Sequence, residues 1–286
     1  MRVKSNKIKD IVSYAYDELK NTYTKEEIKS LVFILFQEFA NINSAYVLAF
    51  EDKTINESEL LNIVLAIKDL KHNKPIQQII GKVDFLNISL NITKDTLIPR
   101  PETEQMCQLI INENKDKKGL KIIDICCGSG CIALSLNKNI DSEVFACDVS
   151  EQALKIAKQN NTNNNLNVNF FLCDVLNDCP ITDKEFDIIV CNPPYVKDSE
   201  KSLMKDNVLN YEPHLALFVS DENPLIFYEK IEFFAREHLK KDGKIYLEIN
   251  NSLAKETALI FSKSIYQTET IQDIFNKDRF IFIKKI

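Results

Sequence analysis

Apolar positions in the first 74 residues recur with helical spacing. Ile8, Ile11, Val12, Ala15 and Leu19 share one face at a period near 3.6, and Ile28, Leu31, Val32, Leu35, Phe36 and Phe39 repeat it. Leu60, Leu61, Val64, Leu65 and Ile67 make a third stripe. Thr24 with Glu27 forms a capping-box pattern before the second stripe, and Asn56 with Glu59 gives a weaker one before the third. Asn73 and Pro75 then stop the helical pattern. Residues 1–74 are therefore predicted as a small helical bundle whose stripes form its core. Over 75–97 the period changes: Leu86, Ile88, Leu90 and Ile92 alternate with Asn87, Ser89 and Asn91. This is strand spacing, read as one arm of a β-hairpin with residues 81–85 that links the bundle to the rest of the chain.

From about residue 98 strands alternate with helices. The strands are expected at Lys121–Ile125, Glu143–Cys147, Asn169–Cys173, Phe186–Cys191 and Lys244–Ile249, with helices such as Cys131–Asn137 and Glu151–Asn160 between them. Asp242-Gly243 reads as a turn just before the fifth strand. Two strand-like runs, Ser264–Ile271 and Arg279–Lys284, come last with no helix between them. The pattern predicts an α/β domain over 98–286: a mostly parallel seven-stranded sheet covered by helices on both faces, with an antiparallel hairpin at one edge. The Asn-rich stretch 160–169 reads as a solvated loop and Glu113–Lys118 as a linker into the first strand.

The chain has 286 residues, enough for about two domains at ~150 residues each. Apolar residues make up 45% and charged residues 27%, with a net charge of -6, so a broad basic surface for coating nucleic acid is not expected. None of the 8 Cys pairs at the spacing of a zinc knuckle or redox motif, and the three His (His72, His214, His238) are scattered, so no metal is expected. Cys147, Cys173 and Cys191 lie in apolar runs and read as buried hydrophobes in a reducing compartment. The basic stretch Met1 to Asp10 is followed by no apolar signal segment, and no run approaches the ~20 residues of a membrane span. The chain is expected to be cytoplasmic, without a membrane partner.

Candidate chemistry falls at the carboxyl ends of the predicted strands, where an open parallel sheet binds its ligand. Asp124-Ile-Cys-Cys-Gly128-Ser-Gly130 lies between strand and helix, and its two glycines stand out because the chain has only 5. Such a loop lets backbone approach a ligand beside a helix N-terminus. It matches neither a G-x-G-x-x-G fingerprint nor a Walker loop. Asp148, about 20 residues past it, suits the two hydroxyls of a ribose; the alternative is that Asp148 or Ser150 only caps the next helix. Asp174 ends the third strand, where it can meet an adenine amino group or simply form a turn. The most informative signal is Asn192-Pro193-Pro194-Tyr195 after the fourth strand. Two prolines remove two N–H donors and stiffen the backbone, leaving the Asn192 side-chain oxygen and the prolyl carbonyls as acceptors beside a flat aromatic ring. That arrangement suits a planar –NH2 group, with two hydrogens to place and a face to stack.

The sheet, the glycine loop, the acid after strand two and Asn-Pro-Pro-Tyr together resemble a class I, Rossmann-like methyltransferase that uses S-adenosylmethionine and acts on nitrogen. Thr96-Leu-Ile-Pro-Arg-Pro-Glu-Thr-Glu104 narrows the resemblance to the PrmC/HemK family, as do Ile79-Ile-Gly-Lys-Val-Asp-Phe85 and Tyr211-Glu-Pro213. The resemblance runs nearly end to end. It implies transfer of a methyl group from S-adenosyl-L-methionine, leaving S-adenosyl-L-homocysteine, to the side-chain amide nitrogen (N5) of the glutamine in the Gly-Gly-Gln motif of class 1 peptide-chain release factors. It also implies that Cys126, Cys127, Gly128, Ser129, Gly130, Asp148, Asp174, Val175 and Asn192 contact the cofactor. Asn192, Pro193, Pro194 and Tyr195 would hold the glutamine, with Asn192, Pro193 and Tyr195 as the catalytic set. The bundle would help to recognise the release factor or serve structure alone; the enzyme is expected to be a monomer and to need no nucleic acid. Two positions depart from the family, Cys126 and Asn250, where glycines are usual. Cofactor binding is expected to persist if position 126 needs no positive φ. The rival readings are a ribosomal-protein glutamine methyltransferase, disfavoured by Pro101-Glu-Thr-Glu104, a nucleic-acid amine methyltransferase, which should carry a basic face or a recognition insert, and a cofactor-sensing module without catalysis.

Overall fold

The apolar stripes of the N-terminal segment close on one another as α1 (Ile8–Leu19), α2 (Lys25–Ala40), α3 (Ser44–Ala49), α4 (Glu57–Lys71) and α5 (Ile76–Ile80). The computed structural model describes residues 3–177, 185–261 and 264–286, so Met1 and Arg2 of the expected bundle lie outside the described residues. Both capping boxes are present. Thr24 and Asn56 accept the N–H of Glu27 and Glu59, whose carboxylates accept the cap N–H in return, and each pair satisfies two donors that a helix start leaves free. Ile11, Ala15, Leu35, Phe36, Ile63 and Ile67 lie in the core between them. The two short helices α3 and α5 leave too few turns to show a period in the sequence.

The chain forms two units, Met1–Gly81 with Lys205–Tyr211, and Lys82–Met204 with Glu212–Ile286. The division differs from the expected 1–74, 75–97 and 98–286. Residues 76–80 are helical rather than part of a hairpin and end at Gly81, whose φ of 80° closes the helix. Segment Lys205–Tyr211 joins the first unit because Gln78 Nε2 donates to the Tyr211 carbonyl at 2.7 Å and the Tyr211 hydroxyl to the His72 carbonyl at 2.9 Å.

In the second unit, β1 (Lys82–Phe85) and β2 (Ile88–Asn91) form an antiparallel hairpin. Its two-residue turn has positive φ at both Leu86 and Asn87, the turn that matches strand twist. Phe85, Ile88 and Leu90 are buried in the core of this unit, so the hairpin packs as a layer of it. After α6 (Pro101–Asn114), with Pro in its first turn, come β3 (Leu120–Ile125), α7 (Cys131–Asn139), β4 (Ser142–Asp148), α8 (Glu151–Asn163), β5 (Val168–Leu172) and β6 (Phe186–Cys191). Next are β7 (Val196–Lys197), α9 (Asp206–Tyr211), which belongs to the first unit, β8 (Phe218–Val219), α10 (Ile226–His238), β9 (Leu239–Glu248), α11 (Ala254–Ile260), β10 (Tyr266–Gln272) and β11 (Asp278–Lys285).

The seven-stranded sheet has the order β10-β11-β9-β6-β3-β4-β5. Its β9, β6, β3, β4 and β5 are parallel, and β11 runs antiparallel between β9 and β10. Successive residues of the central strands enter opposite cores: Val144 and Ala146 on one face, Phe145 and Cys147 on the other, and likewise Ile188 and Val190 against Ile189 and Cys191. That double burial is why these strands read as continuous apolar runs. The strand order reverses between β3 and β6, so their carboxyl ends border the crevice where such sheets bind ligands.

Two local readings change. Asp242-Gly243 lies inside β9, not before it. Asp242 has a φ of 62°, and the register against β6 jumps from Phe186↔Leu239 to Ile188↔Lys244, so the turn signal marks a bulge. The Asn-rich stretch is no solvated loop at its start, because α8 extends to Asn163 and Asn160 is completely buried. Asn160 Oδ1 accepts the Asn91 N–H at 2.7 Å, and its Nδ2 donates to the carbonyls of Asn91 and Ser129, each at 3.0 Å. One side chain thereby clips the hairpin and the glycine loop to α8. Asn160→Leu should cost about 3 kcal/mol, because it strands buried backbone groups worth ~1–3 kcal/mol each. Urea unfolding checks this, and a loss under about 1 kcal/mol would mean that those groups find other partners.

Candidate active site

The glycine loop leaves β3 at Ile125 and enters α7 at Cys131. Cys126, Gly128 and Gly130 have φ of 62°, 54° and 80°. The loop does need left-handed backbone at position 126, and Cys occupies it. Asp148, at the end of β4, holds the loop in place. Its Oδ2 accepts the Gly128 N–H at 2.8 Å and its Oδ1 the Ser150 N–H at 2.9 Å. Ser150 is the residue that caps α8, through the Ala153 N–H, so capping does not account for Asp148. Asp174, after β5, builds a turn by accepting the Leu176 N–H and the Asn177 side-chain amide.

Asn192 comes directly after β6. Its Nδ2 donates to Thr103 Oγ1 at 3.2 Å, and the Thr103 hydroxyl donates to Glu248 Oε2 at 2.7 Å. The Tyr195 hydroxyl donates to Glu248 Oε1 at 2.8 Å. The Asn250 amide donates to the Tyr195 carbonyl at 3.1 Å and to Glu200 at 2.9 Å. The Asn250 side chain thus fastens the segment after Asn192. Arg279 lies over the Tyr195 ring at 5.8 Å.

A cavity of about 1170 Å³, its open mouth included, runs along these loops. Cys126, Cys127, Gly128, Ser129, Asp148, Asp174, Val175, Asn192 and Pro194 line it. Gly130, Pro193 and Tyr195 do not, and Tyr195 turns its hydroxyl away onto Glu248. Thr103, Arg100, Leu215 and Phe227 line it as well, and the sequence pattern singles out none of them for a site. Glu212 accounts for part of that. It is buried, pairs with Arg100 at 2.5 Å and accepts the Ile98 N–H at 3.1 Å, so it fixes one wall of the cavity. The usable signal is an acid in an apolar setting, such as Glu248 at the end of Ile245-Tyr-Leu-Glu248.

The sequence of the chain matches the family model Methyltransferase small domain over residues 101–213. It is 40% identical to the release factor glutamine methyltransferase of Flavobacterium psychrophilum, over 96% of this chain and 98% of that protein. It is 39% identical to the release factor glutamine methyltransferase of Bacteroides thetaiotaomicron, over 95% and 98%. The fold is similar to that of a methyltransferase from Pyrococcus furiosus, with a TM-score of 0.51 at 20% identity over 69% of this chain and 88% of that one. The chain belongs to the release factor glutamine methyltransferase family. It is a class I methyltransferase that uses S-adenosylmethionine.

The residues around the cavity fit that cofactor. After its two backbone bonds the Asp148 carboxylate keeps lone pairs for hydroxyls. A Cβ on Gly128 would meet no atom within 4 Å, so backbone is open to the cavity there. Burial raises the carboxyl of Asp148 above its usual range, against the pull of its N–H donors. Burial also pushes the Cys131 thiol up to about 12 and those of Cys127 and Cys191 well above the ordinary value, so these stay neutral and unreactive at pH 7. No helix among the described residues is long and apolar enough to cross a membrane.

The left-handed backbone at Cys126 sets a measurable constraint. A β-branched residue there should be costly, because αL costs even ordinary L-residues ~1–2 kcal/mol. Cys126→Val is expected to lose about 2 kcal/mol or more, and Cys126→Gly to stay within about 1 kcal/mol of the parent, as strain relief offsets lost packing. Equal stability of the two variants in thermal melts would show that the loop does not hold this φ.

Proposed function

We propose that this enzyme methylates the side-chain amide nitrogen (N5) of the glutamine in the Gly-Gly-Gln motif of class 1 peptide-chain release factors. One observation carries the reading. Asn192 lines the same cavity as the glycine loop, Asp148 and Asp174, so an acceptor for a carboxamide shares its space with a nucleoside-type pocket. The names of its relatives support the same substrate.

Cys126 to Gly130 would cradle the cofactor, Asp148 its ribose hydroxyls, and Asp174 with Val175 its adenine. S-adenosylmethionine, when bound, supplies a methyl carbon made electrophilic by the adjacent sulfonium. The amide nitrogen is a poor nucleophile, because its lone pair is delocalised into the carbonyl. Asn192 Oδ1, on the cavity wall, accepts one of its hydrogens, which aims the nitrogen and leaves it richer in electrons. Pro194 walls the cavity and Tyr195 braces the corner from behind. Positioning of this kind can supply up to ~7–11 kcal/mol of barrier reduction. The helical unit, with Ile34, Leu48, Phe50 and Leu61 exposed, is proposed to help recognise the release factor.

Radiolabelled methyl transfer should be offered a release factor, a ribosomal protein and DNA side by side. Label is expected in the release factor alone and should vanish when its motif glutamine is replaced; preferential labelling of either rival would overturn the reading. Asn192→Ala should lower turnover ~100-fold while cofactor affinity stays near that of the parent, since an aligning group is lost. Turnover within threefold of the parent would remove the amide clamp. Asp148→Ala should instead weaken cofactor binding ~10-fold or more, the worth of a charge-assisted hydrogen bond. Calorimetry with S-adenosylhomocysteine measures it, and an unchanged Kd would exclude Asp148 from the ribose site.

A further inference from the structure

The two ends of an asparagine amide have nearly the same shape, so the end that faces a substrate must be read from the partners of the other end. For Asn192 those partners form a chain with a fixed direction. Glu248 is 1% exposed, and as a carboxylate it can only accept. Its two oxygens receive the hydroxyls of Thr103 at 2.7 Å and Tyr195 at 2.8 Å. The Thr103 hydroxyl has a single hydrogen. Once that hydrogen is given to Glu248, Thr103 shows only lone pairs to Asn192, 3.2 Å away. Asn192 must then place its –NH2 on Thr103, which leaves Oδ1 for the cavity that Asn192 and Thr103 both line.

Burial raises the Glu248 carboxyl above its usual range, against the pull of the two hydroxyl donors and the nearby Arg279. Arg279 is itself tied to Asp273 at 3.3 Å and to the Ile249 carbonyl at 3.0 Å, so its charge is held beside Glu248.

We propose that Glu248 and Thr103 are positioning residues: together they lock Asn192 as an acceptor, and so make the site select a carboxamide over a carboxylate. The inference rests on the glutamine reading above. An inverted amide would set –NH2 against –NH2. A glutamate in place of the glutamine would set lone pairs against Oδ1. Glu248 does this without lining the cavity, from behind Thr103 and Tyr195.

The test uses the full-length enzyme with a release factor carrying Gly-Gly-Gln, and with a version of that factor carrying Gly-Gly-Glu as a competitor. Thr103→Val keeps the shape and removes the hydroxyl; Glu248→Gln keeps the shape and offers a donor where only acceptors stood. Both should lower kcat by ~30-fold or more, as for loss of an aligned polar group, with the Kd for S-adenosylhomocysteine within about threefold. Thr103→Ser, which restores the hydroxyl, should recover most of kcat. The Gly-Gly-Glu factor should compete ~10-fold better against Glu248→Gln than against the parent, because the introduced amide lets Asn192 turn over. Full activity of Thr103→Val, or failure of Thr103→Ser to recover it, would overturn the proposal. Amide orientation is also read without any substrate: in the complex with S-adenosylhomocysteine, an Nδ2 proton of Asn192 should be protected from solvent exchange in the parent and exposed in Thr103→Val. If the parent enzyme does not methylate the release factor, the glutamine reading fails, and this protection still decides the orientation. An unprotected proton in the parent sinks the lock.

Discussion

A carboxylate taken out of water must be met by donors, and the carboxyl edge of this sheet is organised by that requirement. Glu248 receives hydroxyls from α6 and from the loop after β6. Glu212 receives the Ile98 N–H and Arg100. Asp273 receives the N–H groups of Phe275 and Lys277 and faces Arg279. Asp148 receives the N–H groups of Gly128 and Ser150. These acids fasten irregular segments to the helices and strands around them. A loop pinned this way gives up its freedom during folding, before any ligand arrives. That is the condition for a site whose chief contribution is alignment.

The same requirement separates the parts of the molecule that are legible in the sequence from those that are not. The sheet can be read because each central strand is buried on both faces, which produces unbroken apolar runs such as Phe186–Cys191. The bundle can be read because its helices carry both a period and a cap. The glycine loop, Asp148, Asp174 and Asn192 can be placed because the carboxyl ends of parallel strands are where ligands bind, and the cavity lies along them. Glu248 and Thr103 cannot. Their partnership spans 145 residues, and no local pattern encodes a contact of that length. Asn160 reads wrongly as solvated for the same reason: its partners, Asn91 and Ser129, lie 69 and 31 residues away. The division at Gly81 also depends on contacts distant in the chain, those of Gln78 and His72 with Tyr211.

Position 126 shows the limit of reading chemistry from residue size. A small side chain is enough for close approach of backbone, but not for a positive φ, and the structure requires both. Cys tolerates this because its side chain packs at the margin of the core beneath the loop. The loop around it is also fixed at three points: Gly128 on Asp148, Cys127 on the Cys147 carbonyl and Ser129 on Asn160. Strain at one residue persists when its neighbours are over-determined. The substitution therefore alters a local energy without requiring a different loop.

The placement of charge obeys a second constraint. A full carboxylate in place of the Asn192 amide would be a stronger acceptor, but it would add another charge to a cavity wall that already carries Asp148 and Asp174. Asn192 presents a neutral acceptor, and the negative charge that orients it stands one hydroxyl further back, on Glu248. The hydroxyl transmits direction without transmitting net charge, because its single hydrogen can be given only once. A buried acid, costly to keep, thus stands behind an amide rather than on the wall itself.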